Sequence, residues 1–141
     1  MFMNRGFEIL DISGDVGLRV HGRSLEELFV NSALGLYSLV TDLSGVEPAQ
    51  SVDIKVSRES LDGLLVGWLN ELIFRFDAYG FIGKEVRIKS INENSVEAGI
   101  KGEEFDPERH EKGLLVKAAT YHNIRIEEKN GIWTAEVVLD I

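Results

Sequence analysis

The longest periodic stretch of the chain runs from Leu61 to Phe76. Leu61, Leu64, Leu65, Trp68, Leu69, Leu72, Ile73 and Phe76 recur at spacings of three and four, which places them on one broad face of an α-helix and predicts that this face lies against a sheet. Gly63 and Gly67 fall off that face, four residues apart, where they leave room for a neighbouring element to come close. An earlier helix opens at Ser24-Leu25-Glu26-Glu27, a capping box in which the Ser24 hydroxyl accepts from the Glu27 amide and the Glu27 side chain reaches back. Leu25, Leu28, Phe29, Leu36 and Val40 continue it, with small Ser32 and Ala33 between, until the Gly- and Pro-containing stretch from Asp42 to Pro48.

Elsewhere the period is two. Phe7 to Leu10 and Gly17 to Gly22 read as strands joined by a turn-rich acidic connection, Asp11 to Asp15. Ser51 to Val56 reads as a third, and Glu85 to Ile91 with Val96 to Gly102 as a hairpin around Asn92-Glu93-Asn94. Alternation from Leu114 through Ile124 and Ile126 to Glu128 predicts a strand that turns at Asn130-Gly131, where both central residues of a type I′ turn need positive φ. In the last strand Trp133, Ala135, Val137 and Leu139 share one face, and Ile132, Thr134, Glu136, Val138 and Asp140 the other. This order predicts an α+β fold: an antiparallel-dominated sheet of about six to seven strands with two helices packed on one face. No repeat or linker divides the chain, so residues 1–141 are expected to form a single domain. The stretch from Glu103 to Gly113, with five acids and His110, reads as a charged irregular loop.

Composition narrows the chemistry. A net charge of −9 argues against a direct grip on nucleic acid, since phosphate binding needs a basic face. The absence of cysteine excludes disulfides, thiolate zinc sites and cysteine nucleophiles. No apolar run has the length of a membrane span and no signal peptide is visible, so a cytoplasmic location away from membranes is expected. There is no phosphate loop, GxSxG or HExxH, and no catalytic residue is assigned. His122 with Asp140 or Asp106 would make a general-base pair, but three histidines among many acids produce such pairs by chance. An oxygen-only site fits better, and it would select Ca²⁺ or Mg²⁺ over zinc or copper. Asp140 and the α-carboxylate of Ile141 are adjacent; alone they read as a solvated chain end, and a hard-cation site needs a third carboxylate nearby. Asp11 and Asp15 lie four apart in a loop, where such acids more often cap turns.

Several segments, in order, resemble the archease family from about residue 7 to residue 141: Gly14-Asp15-Val16-Gly17, Ser24 to Phe29, Asp62 to Leu72, Glu103 to His110, Val116 to His122 and the terminal Asp140-Ile141. The Lys-Ala-x-Thr-Tyr-His run ending at His122, together with the terminal Asp-Ile, is the most telling. The resemblance implies an accessory protein, not an enzyme by itself, that activates a GTP-dependent tRNA-splicing RNA ligase by promoting its guanylylation and turnover. It implies a divalent cation, Ca²⁺ ahead of Mg²⁺, held by Asp15, Asp140 and Ile141, with Lys117 and His122 as partner contacts. Where the family has His-Thr-Ala-Asp this chain has Ile12-Ser13-Gly14-Asp15, so the histidine is replaced and the aspartate kept. Two other readings stand beside this one. A stand-alone hydrolase or transferase built on His122 would turn over without a partner. A chaperone or modulator of other RNA-processing enzymes, such as a tRNA methyltransferase, would bind several clients without metal.

Overall fold

The computed structural model describes residues 6–141. Its elements are β1 (Phe7–Ile12), β2 (Asp15–Gly22), α1 (Leu25–Val40), a 3₁₀ turn (Leu43–Gly45), β3 (Gln50–Ser57), α2 (Leu61–Tyr79), β4 (Phe81–Ile91), β5 (Ser95–Glu104), β6 (Ala118–Ala119), β7 (Arg125–Lys129) and β8 (Ile132–Asp140). The class is α+β with antiparallel strands and two helices, as the periodicities require. The eight described strands form two sheets, not one. The first is ordered β1-β2-β8-β6, with β7 also pairing β8, and the second β3-β5-β4. Both helices touch both sheets, so their apolar faces fill the space between strands of different sheets.

The core follows the helical stripe. Leu64, Leu65, Trp68, Leu69 and Leu72 of α2 and Leu28, Phe29, Ala33 and Leu36 of α1 are almost fully buried, against Leu18, Val20, Ile54, Ala98, Ile100, Val137 and Leu139 from the sheets. Trp68 sits at the centre; its Nε1 donates to the Phe29 carbonyl at 3.1 Å, and the two rings pack at 6.0 Å. The Ser24 hydroxyl accepts from the Glu27 amide at 3.0 Å, whereas the Glu27 carboxylate reaches one residue past the cap, accepting from the Arg23 amide at 3.1 Å.

Two connections differ from the sequence expectation. The Asp11–Asp15 stretch is not an open acidic loop: β1 and β2 run through it to a two-residue turn at Ser13-Gly14, both with positive φ, and Asp11 pairs with Val16 inside the hairpin. The strand expected from Leu114 to Glu128 is broken into β6 and β7. Its first part bonds to a helix end instead: Gly113 and Leu114 donate to the carbonyls of Val40 and Leu39 at 2.8 Å each, and the Thr41 hydroxyl donates to Glu111 at 2.6 Å. Those carbonyls belong to the last turn of α1, which has no internal partners for them, so the segment satisfies the helix and forgoes the sheet. The turn between β6 and β7 passes through Asn123 at φ 52°. The Asn130-Gly131 hairpin is as expected, with φ of 54° and 81°.

Candidate functional site

Asp15 opens β2 and Asp140 closes β8. These strands pair antiparallel with Val16 opposite Leu139, so one step further the register sets Asp15 beside Asp140. Alternation places both on the outer face of the sheet, which carries Arg19, His21 and Glu136, while Val16 and Leu139 turn into the core. Arg19 marks that face: it donates to Glu136 at 3.3 Å and to Glu8 at 3.4 Å. Ile12 lies opposite Asp15 across the β1–β2 pair, and Ala118 opposite Asp140 across β6–β8. One row across four strands therefore reads Ile12, Asp15, Asp140, Ala118. Asp140 is exposed and Asp15 half-buried. Ile141 packs its side chain against the core, which anchors the residue after Asp140.

Lys117 adjoins this row. Its amide donates to the Asp140 carbonyl at 2.7 Å, its side chain is exposed, and it makes no ion pair among the described residues. His122 stands apart, exposed in the turn after β6. Its amide donates to the Thr120 hydroxyl at 3.3 Å and its Nε2 lies 3.3 Å from the Asn123 side-chain amide; it pairs with neither Asp140 nor Asp106. The general-base pair considered from the sequence is thus not formed.

Carboxylates at adjacent positions on neighbouring strands repel, and the chain-end carboxylate adds a third negative group. A divalent cation would remove that repulsion, and an all-oxygen donor set suits a hard ion. Among the described residues no three His, Cys, Asp or Glu side chains group as metal ligands, and this corner supplies only two side chains plus the α-carboxylate.

A second cluster was not foreseen. The stretch read as a charged loop carries a buried network: His110 and Glu103 are 4% and 9% exposed. The His110 Nδ1 accepts from the Asp106 amide at 2.8 Å, which fixes the ring proton on Nε2, 3.0 Å from the Glu103 carboxylate. Glu103 also accepts from the Glu47 amide at 2.6 Å and from Arg109. The Glu47 amide bond, with help from Arg109 and His110, holds the Glu103 carboxyl down to about 2 against the opposing effect of burial. This network staples the 103–113 segment to the chain just after the 3₁₀ turn, a structural role. The only trace in the sequence is Phe105, whose ring packs on that of His110 at 5.6 Å. A concavity of about 1160 Å³ between α1 and residues 111–114 is lined by none of the expected site residues.

The family model of the Archease protein family matches residues 7–141. The Protein archease of Aeropyrum pernix is 41% identical over 133 residues, covering 92% of each chain, and that of Thermococcus gammatolerans is 38% identical, covering 97% of this chain and 99% of its own. The solution structure of Methanobacterium thermoautotrophicum protein 1598 superposes with a TM-score of 0.82 at 35% identity, covering 97% of this chain and 99% of that one. The crystal structure of a Thermotoga maritima archease, described as a possible chaperone, has the same fold at a TM-score of 0.67 and 20% identity, covering 94% of each chain. The family match over nearly the whole length, and relatives this similar across it, show that the chain belongs to the archease family.

Proposed function

We propose that this protein is an accessory factor that activates a GTP-dependent tRNA-splicing RNA ligase, promoting guanylylation and turnover of that enzyme, and that it uses a divalent cation held by Asp15, Asp140 and the Ile141 carboxylate. The observation that carries this reading is the β2–β8 register, which sets two aspartates far apart in sequence side by side at the chain end. The ion would supply positive charge where three carboxylates meet. The chain's own part is to hold that corner rigid: the Asp140 backbone is tied to Lys117, and Ile141 is fixed by its packing. Lys117 and His122, exposed along the segment that borders the corner, would contact the partner.

The test is single-turnover guanylylation of the purified cognate ligase, with and without this protein, over a Ca²⁺ and Mg²⁺ series. The reading expects acceleration that depends on the cation and vanishes in Asp140→Asn. No acceleration at any cation level would overturn it. The chaperone description of the Thermotoga maritima relative favours a second reading, modulation of other RNA-modifying enzymes such as a tRNA methyltransferase, which expects binding to several clients regardless of metal.

A further inference from the structure

The two glycines set off the apolar face of α2 have an occupant. A Cβ built at Gly67 would lie 3.0 Å from the Cζ, Nε and Nη2 atoms of Arg58 alike, so the guanidinium lies face-on against the helix backbone. A Cβ at Gly63 would lie 3.5 Å from the Arg58 Cβ and 3.6 Å from the Tyr121 hydroxyl, so Arg58, from the end of β3, and Tyr121, from the turn after β6, converge on one seat. Glycine inside a helix is disfavoured by its backbone freedom, and here it makes the seat.

Arg58 is also held in advance. Its amide donates to the Asn94 carbonyl at 2.8 Å, the Asn94 side chain donates to the carbonyls of Arg58 and Glu59 at 3.2 and 3.0 Å, and Nη1 donates to the Ser57 carbonyl at 2.7 Å. It nevertheless has no acid. Arg19, Arg75, Lys89, Arg109 and Arg125 sit in ion pairs, whereas Arg58, like Arg23 and Arg87, makes none among the described residues; the glycine seat is what sets Arg58 apart. Tyr121 is 59% exposed and its hydroxyl is unbonded among them. Arginine and tyrosine presented on a rigid support are the residue types that dominate protein interfaces, and a positioned guanidinium matches a carboxylate fork.

We propose that Arg58 and Tyr121 form the docking point for an acidic side chain on a partner protein, Arg58 clasping the carboxylate and the Tyr121 ring packing beside it. A net charge of −9 disfavours nucleic acid as the occupant, because a run of phosphates needs a broad basic face whereas a single carboxylate needs only this one guanidinium. The choice of partner rests on the accessory-factor reading above.

The experiment measures binding of the full chain to the purified cognate ligase by biolayer interferometry, with melting curves for each variant. Arg58→Met is expected to weaken binding by about tenfold or more at an unchanged melting temperature. Arg58→Lys should recover only part of the loss, since an ammonium does not match the fork. Gly67→Ala sets a methyl against the guanidinium and should weaken binding by roughly threefold while melting no lower than wild type. Wild-type binding that Arg58→Met leaves within about twofold would overturn the docking contact alone. Absence of wild-type binding would overturn the ligase reading and the contact together. Capture of a single-stranded RNA oligomer that Arg58→Met abolishes would overturn the carboxylate partner in favour of a nucleic acid.

Discussion

Removing Asp140 and Ile141 and neutralising Asp140 in place should have opposite signatures, because the chain end does two separable things. Truncation removes the Lys117–Asp140 backbone bond of 2.7 Å, which contributes about 1 kcal/mol net. It also removes the half-buried Ile141 side chain, about 1 kcal/mol on the scale of aliphatic burial. The sum of about 2 kcal/mol corresponds to a fall of about 7 °C in Tm for a chain of this length. A fraying strand end would have cost little, and the sequence alone suggests that outcome; the packing of Ile141 is what raises the figure. Asp140→Asn keeps both the bond and the packing and relieves repulsion from Asp15, so stability in EDTA should stay within about 0.5 kcal/mol of wild type or rise. Thermal unfolding followed by circular dichroism, with excess EDTA, reads both. A truncated chain that melts within about 2 °C of wild type, or an Asp140→Asn variant that loses as much as the truncation, would refute this division of roles.

In the core, Trp68→Phe should cost about 2 kcal/mol, roughly half from the small void and half from the lost bond to Phe29. The cost stays modest because the Phe29 carbonyl keeps the Ser32 hydroxyl at 2.8 Å; Trp68→Ala should cost about 4 kcal/mol, and urea titration separates the two. Glu103 sets an acid dependence. Its carboxyl is held at about 2 in the fold against 4.5 ordinarily, so its contribution is complete above pH 4.5 and disappears as pH falls toward 2. Glu103→Gln should therefore be destabilised relative to wild type at neutral pH, with the gap closing through that window; a gap that widens on acidification would refute the assignment.

Much of the fold was legible because its signals are local. The i, i+3, i+4 stripe of α2, the Ser24 cap and the Asn130-Gly131 turn each act within a few residues, and each appears where the pattern puts it. The division into two sheets was not legible, since alternation says which face of a strand is buried but not which strand lies beside it. The loss of the strand ahead of β6 was missed for a related reason: the carbonyls of Leu39 and Val40 claim the backbone of residues 113 and 114, a competition between segments more than 70 residues apart. Glu103 and His110 looked like solvated charge because a buried polar pair leaves no periodic trace. At the candidate site, Asp140 and Ile141 were visible as neighbours from the sequence, while Asp15 was noted only with Asp11 and was joined to the chain end through the family resemblance. The register supplies the physical reason for that grouping by setting β2 against β8.

If the β2–β8 register builds a cation-binding corner, the two aspartates must hold the ion together. Isothermal titration of Ca²⁺ into wild type, Asp15→Asn and Asp140→Asn tests it most directly. One site per chain is expected in the wild type, lost in either variant while both stay folded. Ca²⁺ binding of wild-type strength in either variant, or none in the wild type, would contradict it.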